Sequence, residues 1–187
     1  MGFVQDAELL LQTFAGLDTT SPHGEDTPNR FLEMLDELTK CRADKCDGTC
    51  IKWKTFPADS DGMVVQGPIP FVSVCNHHVL PFHGYAFIGY VPTDEVVGLS
   101  KLARTVHHFA RQLQVQETLT EQVAYYLDTN LQAKGVAVTL RGEHTCMTFR
   151  GVGTPGVLTT TTVVKGVFAD HTRTAKAEYL AEIGRMK

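Results

Sequence analysis

No stretch of this sequence approaches the roughly 18 consecutive apolar residues of a membrane span, which excludes an ordinary helical membrane protein. The start, Met1 to Asp6, lacks a basic segment followed by an apolar core, so no secretory signal is expected. Positive charge is in deficit: 17 Lys and Arg against 21 Asp and Glu leave a net charge of −4. That balance excludes a general nucleic-acid binder, and an anionic ligand would have to be met by cations gathered locally. Internal repeats and low-complexity segments are missing, which excludes a repeat architecture. Cysteine is sparse and odd in number, five in all, and two of the five sit beside histidines. Such usage points away from a disulfide scaffold and toward a reducing, cytoplasmic setting with metal-binding or free thiols.

What is present is ordinary for a globular protein: 187 residues, 43% hydrophobic and 20% charged, enough to bury the core of one domain. Leu9, Leu10 and Phe14 predict a short helix over Asp6 to Ala15. Thr27 as N-cap and Pro28 at the first helical position open a second, with Phe31, Leu32, Leu35 and Leu38 as its buried face. Residues 40 to 62 carry no clear periodicity. From Met63 strands are expected at Pro68–Val74 and Gly84–Val91. Leu99, Leu102, Val106, Phe109 and Leu113 keep helical spacing. Thr118 and Glu121 read as a capping box for a further helix, with Leu119, Val123, Tyr126 and Leu127 inward and Gly135 as its stop. Val136, Val138 and Leu140 alternate as a strand. Met147–Gly151 is expected to continue or pair with that strand, Thr159–Phe168 is a last strand, and Ala175–Ile183 a closing helix. This order predicts an α+β fold, a mainly antiparallel sheet with two long helices on one face. Residues 1–62 form an N-terminal helical region and loop, and 63–187 the sheet-bearing domain, in a single compact unit overall.

The chemistry concentrates in Ser73-Val-Cys-Asn-His-His-Val-Leu-Pro-Phe82. Cys75 and His78 are spaced to grip one zinc ion, and Cys146 in Glu143-His-Thr-Cys-Met147 is a third ligand candidate. On a strand, His144 and Cys146 would face the same side. Three ligands leave a coordination position open, the catalytic rather than the closed structural pattern. An open zinc lowers the pKa of a bound water toward about 7, and His77 and His144 remain as acid–base groups. Spacing alone leaves open a closed zinc site with His83 or His144 as fourth ligand, or simply buried histidines. Lys101 and Arg104 share one helix face, Ser100 stands at that helix start, and Arg150 follows Cys146. These groups form either a phosphate clamp or a solvated basic face. Glu117, in Gln114-Val-Gln-Glu117, either meets its helix dipole or accepts hydrogen bonds from the N–H edge of a guanine. Cys41, Cys46 and Cys50 fit no zinc pattern well and are expected as free thiols.

Five segments stand in register: Cys-Asn-His-His-x-x-Pro-Phe-x-Gly, Val-Gly-Leu-Ser-Lys-Leu-Ala-Arg, Leu-Gln-Val-Gln-Glu-x-Leu-Thr, Gly-Val-Ala-Val and His-Thr-Cys-Met-Thr-Phe-Arg-Gly-Val. Together they closely resemble the GTP cyclohydrolase I family, over roughly residues 5 to 183. The resemblance implies a tunnelling fold, in which sheets join edge to edge into an oligomeric barrel. It implies a homodecamer made of two pentamers, with active sites shared between subunits. Zn²⁺ is the implied cofactor on Cys75, His78 and Cys146, and GTP the implied partner, with no nucleic acid and no membrane. By the same likeness Glu117 anchors guanine with Gln116 beside it. Ser100, Lys101, Arg104, Arg150 and Arg30 match triphosphate contacts. The implied reaction opens the imidazole ring at C8 while His144 protonates N7, and releases formate. His77 and Ser100 then assist ribose opening before closure to 7,8-dihydroneopterin triphosphate.

Some positions depart from the family pattern. Asn76 stands where glutamate is usual, Thr118 where arginine is usual, and Phe87 where histidine is common. Arg141-Gly-Glu143 and the loop Gly151–Leu158 are also atypical. These departures keep in view a paralogue that stops at the ring-opened formamidopyrimidine or takes a modified guanine nucleotide. Two further alternatives are weighed against the residues: a tunnelling-fold nitrile reductase would not need the Cys-x-x-His plus Cys ligand set, and retention of Glu117, His77, His144 and the cations argues against a non-catalytic nucleotide-binding module.

Overall fold

The computed structural model describes residues 2–41 and 51–186, so Cys46 and Cys50 lie outside the described residues. The chain divides into two compact units, Met1–Lys40 and Cys41–Lys187.

The first unit pairs two helices, α1 (Phe3–Ala15) and α2 (Thr27–Thr39). Gly16 ends α1 in the left-handed region, φ 65°, and its N–H reaches Leu11 O, a conformation glycine adopts without a Cβ penalty. Helix α2 has Pro28 in its first turn as expected, but the N-cap residue is Asp26, one position before Thr27. Leu9, Leu10 and Phe14 are exposed on α1. Arg30 pairs with Asp26 one turn earlier, Nε to Oδ2 3.1 Å, on the surface.

The second unit is built on a five-stranded sheet, order β5-β2-β3-β6-β7. Its strands are β2 (Val64–Cys75), β3 (Pro81–Val91), β5 (Leu113–Gln114), β6 (Gly135–His144) and β7 (Leu158–Gly166). The long strands pair antiparallel, while β5 runs parallel to the end of β2. Outside this sheet, β1 (Thr55–Pro57) and β4 (Glu95–Val97) form a two-stranded ribbon. Thus part of the stretch left unassigned by sequence periodicity is a strand.

Side chains alternate across a strand, and the core follows that alternation. Ile69, Phe71, Phe82, Ala86, Ile88, Tyr90, Val136, Val138 and Leu140 face α3 (Leu99–Ala110) and α4 (Gln116–Leu131). The helices answer with Leu102, Val106 and Ala110, and with Leu119, Val123, Ala124, Leu127 and Leu131. Phe87 and Ala137 point the other way, onto Phe168 and onto Tyr179 and Ile183 of α6 (Ala175–Arg185). Two long helices therefore cover one face, as the sequence implies, and the closing helix covers part of the other. Tyr179 donates its buried hydroxyl to Phe87 O at 2.9 Å.

Several local expectations need correction. Leu99 is exposed, and Leu113 belongs to β5 rather than to the helical stripe. The N-cap residue of α4 is Val115 with no side-chain cap, so Thr118 and Glu121 form no capping box. Glu121 instead accepts from Lys165 of β7 at 3.2 Å. Helix α4 ends at Leu131 with Gln132 left-handed. Gly135 is the first residue of β6, where a Cβ would come within 2.5 Å of Lys165 O. Residues Thr145–Thr148 form a helical turn, α5, not a continuation of the strand.

Gly89 of β3 marks the seat of α6, because a Cβ there would meet the Tyr179 ring at 2.6 Å. Gly89→Ala is expected to cost about 1–3 kcal/mol by overpacking, read as a lower urea midpoint. An unchanged midpoint would show that α6 does not pack at this point.

Candidate functional site

The antiparallel pairing of β3 with β6 places Phe82 opposite His144, so the turn before β3 and the turn after β6 lie at one end of the sheet. Backbone bonds shape the first turn: Cys75 N donates to Leu80 O at 2.8 Å and Val79 N to Cys75 O at 2.9 Å. Asn76, exposed, is tied through its N–H to Gln114 O of β5 at 2.9 Å. Val79 has φ 54°, a costly conformation for a β-branched residue, of the kind retained where surrounding structure enforces it.

This turn lays the two histidines around the buried Cys75. Its Sγ stands 3.8 Å from His78 Nδ1 and 4.0 Å from His77 Nδ1. Cys146 comes from α5. The ligand atoms of Cys75, His78 and Cys146 all lie within 4.8 Å of one another. With ordinary zinc bond lengths, a tetrahedral centre separates sulfur from nitrogen by about 3.6 Å, so the donor set fits such an ion. Neither His83 nor His144 belongs to the cluster. Burial pushes the Cys146 thiol up, and the neighbouring Cys75 adds to this, while Arg150 acts in the opposite direction. A metal taking up the Cys146 thiol must therefore displace its proton.

His144 stands beside the cluster with a different job for its ring. It stacks on Phe82, centroids 4.6 Å apart and planes within 6°, and its Nε2 lies 2.9 Å from Gln116 Oε1. Burial holds its pKa below the ordinary 6.5, against the pull of the nearby Glu117 carboxylate. The imidazole is thus neutral at pH 7, available to accept a proton. Glu117 projects from the first turn of α4 and is exposed. Gln116, expected beside it as a substrate contact, is 1% exposed and bonded on both sides of its amide.

Ser100, Lys101 and Arg104 occupy the first turns of α3, Ser100 and Arg104 exposed and Lys101 half-buried. Among the described residues, no hydrogen bond or ion pair joins their side chains to the thiol–imidazole cluster. Arg150 is exposed just after α5, close enough to bias Cys146. Glu143 fixes the loop beyond it: Gly156 N–H donates at 2.9 Å and Thr148 Oγ1 at 3.2 Å. Those bonds, the backbone one first, hold the Glu143 carboxyl below its usual value. Two departures noted in the sequence meet each other elsewhere, Arg141 lying over the Phe87 ring at 4.8 Å. The backbone N–H of Cys41 donates to Arg111 O at 3.1 Å.

Sequence reasoning missed Phe82 as the platform for His144, and it missed Thr120 and Thr161 beneath Gln116. Gly142 carried the available signal, since a glycine inside a strand marks a close approach. A Cβ there would meet Gln116 Oε1 at 2.7 Å.

Comparison with known proteins came to the same region of protein space. The family model described as GTP cyclohydrolase I matches residues 4–183. A "GTP cyclohydrolase 1" of Coxiella burnetii is 41% identical over 158 residues, 84% of this chain and 85% of its own. One from Gloeobacter violaceus is 41% identical over 177 residues, 95% of this chain and 82% of its own. A solved structure of the archaeosine synthase QueF-Like in its apo form covers 58% of this chain and 97% of its own, at 14% identity and TM-score 0.44.

Cobalt(II) titration is expected to give a thiolate charge-transfer band that Cys146→Ser and Cys75→Ser each abolish. A band unchanged in both variants would place the metal elsewhere.

Proposed function

The chain belongs to the GTP cyclohydrolase I family, and we propose that it converts GTP to 7,8-dihydroneopterin triphosphate and formate with one zinc ion on Cys75, His78 and Cys146. It is an enzyme, a GTP cyclohydrolase. The observation that carries the zinc reading is the three-membered donor set, two thiols and one imidazole within 4.8 Å, with a neutral histidine beside it. When bound at three protein ligands, zinc supplies a Lewis acid that makes a water nucleophilic near neutral pH.

The remaining work falls to this chain's side chains. The Glu117 carboxylate accepts the N1–H and exocyclic amine of guanine, which turns C8 and N7 toward the cluster. His144 takes up a proton as one water is added at C8 and moves it to N7, so the imidazole ring opens to the formamide, and a second water hydrolyses the formamide to release formate. His77, exposed beside Cys75, and Ser100 move protons at the ribose as it opens and rearranges. Lys101, Arg104 and Arg150 hold the triphosphate by charge-assisted hydrogen bonds. A triphosphate accounts for cations gathered in a chain of net charge −4.

The assembly we propose is a tunnelling-fold homodecamer. Strand β7 is the last strand in the sheet order and leaves an edge for pairing with another subunit. Completing the site across that edge would bring the α3 cations to a neighbour's metal cluster. No described helix is long and apolar enough to cross a membrane, and we place the enzyme in the reducing cytoplasm, where its thiols stay available to metal.

Zinc-loaded protein incubated with GTP is expected to release formate and, after oxidation, a fluorescent pterin. No formate would sink the reading, and formate without pterin would mean arrest at the ring-opened formamidopyrimidine. Lys101→Ala is expected to raise KM for GTP about 10-fold, the loss of one charge-assisted hydrogen bond, with kcat little changed. An unchanged KM would count against the clamp.

A further inference from the structure

We propose that Gln116 is a positioning residue, which locks His144 as the Nε2–H tautomer through an oriented chain of hydrogen bonds from Thr120 and Thr161. The proposal rests on the reading of His144 as a proton-transfer group and names which ring nitrogen does that work.

The orientation follows from counting protons. Thr120 Oγ1 lies 2.7 Å from the backbone Gln116 O. A carbonyl can only accept, so Thr120 spends its one proton there. Thr120 Oγ1 is also 2.7 Å from Thr161 Oγ1. Thr161 must be the donor in that pair, and its own proton is spent in turn. Thr161 Oγ1, 3.1 Å from the Gln116 side chain, is left to accept from Nε2. The same nitrogen faces Thr159 O at 3.0 Å and Leu140 O at 3.3 Å. Three acceptors around one end of the amide allow only the NH₂ group there, so the amide cannot be flipped.

Gln116 Oε1 is therefore the atom 2.9 Å from His144 Nε2, and it has no proton to give. His144 must donate from Nε2. In the neutral ring Nδ1 then carries the lone pair, and it is the nitrogen left to exchange a proton with a ligand. The ring has little freedom to turn away, because its face is stacked on Phe82.

Sheet and helix periodicities together bring these groups to one place. Gly142 lies opposite Thr159 and Leu140 opposite Thr161 across β6 and β7, so the residues alternate onto the face beneath α4. Gln116 and Thr120 lie one helical turn apart on α4 and share the side facing them. Gly142 leaves room for the amide oxygen, which a Cβ would crowd at 2.7 Å. With both ends of its amide occupied and 1% of its surface exposed, the Gln116 side chain has no polar group left to offer GTP.

The test uses zinc-loaded full-length protein labelled with ¹⁵N-histidine and free of substrate. Long-range ¹H–¹⁵N spectra, with His144 identified by its disappearance in His144→Asn, are expected to show a protonated Nε2 and an unprotonated Nδ1. Gln116→Met should abolish that pattern and lower kcat for formate release about 100-fold, the scale of a misplaced proton-transfer group, with KM for GTP changed less than about 2-fold. Gln116→Glu keeps an accepting oxygen opposite Nε2 and should retain the tautomer. Thr161→Val and Gly142→Ala disturb the chain from its other end and beside the oxygen, and each should lower kcat while leaving KM alone. They carry the test if Gln116→Met does not fold. A His144 protonated on Nδ1 in the unaltered protein would overturn the proposal, as would variants that raise KM with kcat intact. Absence of formate from the unaltered enzyme would instead defeat the assigned activity, because the tautomer is read without turnover.

Discussion

The pairing of Phe82 with His144 across β3 and β6 is the constraint on which the site depends. It aligns two turns that are distant in sequence, so Cys75 and His78 from one meet Cys146 from the other. It also sets the face on which His144 stands. A register slip of one residue would send His144 through the sheet to the side covered by α6 and separate it from Gln116. The register is well determined because both faces of these strands are buried. Ala86, Ile88, Val138 and Leu140 fill one side, and Phe87 and Ala137 the other. Any slip would exchange two different sets of packed side chains at once.

Within that frame the site separates into two kinds of chemistry. The thiol–imidazole cluster is soft, and its protons are exchangeable for metal. The layer beneath α4 is hard and directional: donation runs in a single sense from the His144 imidazole through the Gln116 amide and Thr161 to Thr120 and the Gln116 carbonyl. Buried polar chains of this type specify one arrangement only when every member is satisfied. Here each threonine uses its proton and a lone pair, and Gln116 uses both ends of its amide. Neutrality of His144 at pH 7 has a separate origin, the burial of its ring. Burial acts on both neighbours, raising the Cys146 thiol and lowering the His144 imidazole, so it favours the neutral form of each.

The places where local sequence signals failed share one cause, a tertiary contact that overrode them. Thr118 and Glu121 have the spacing of a capping box, yet β5 holds the chain extended to Val115 and α4 begins earlier than the box requires. Glu121 is drawn to Lys165 instead. Gly135 resembles a helix stop, but it is glycine because two strands approach closely there. His144 and Cys146 do meet near one centre, though not as strand neighbours. The strand ends at His144, and the helical turn Thr145–Thr148 carries Cys146 inward. Its hydrogen bonds, Phe149 N to Thr145 O and Thr145 Oγ1 to Pro81 O, tie that turn to β3, a link no local propensity reports.

By itself the sequence determined the element types, the apolar faces of α3, α4 and the central strands, and the donor atoms able to hold a metal. Those follow from periodicity and from the intrinsic chemistry of thiol, imidazole and carboxylate groups, which every residue carries regardless of partners. It also carried the ordered set of motifs that identifies the family. Only the tertiary structure decided that the Gln116 side chain is buried between α4 and the sheet, that Phe82 supports His144, and that Nε2 of His144 is the nitrogen facing an acceptor. Each of these depends on which strand lies beside which and in what register. Such pairings join residues far apart along the chain, where sequence spacing carries no geometry.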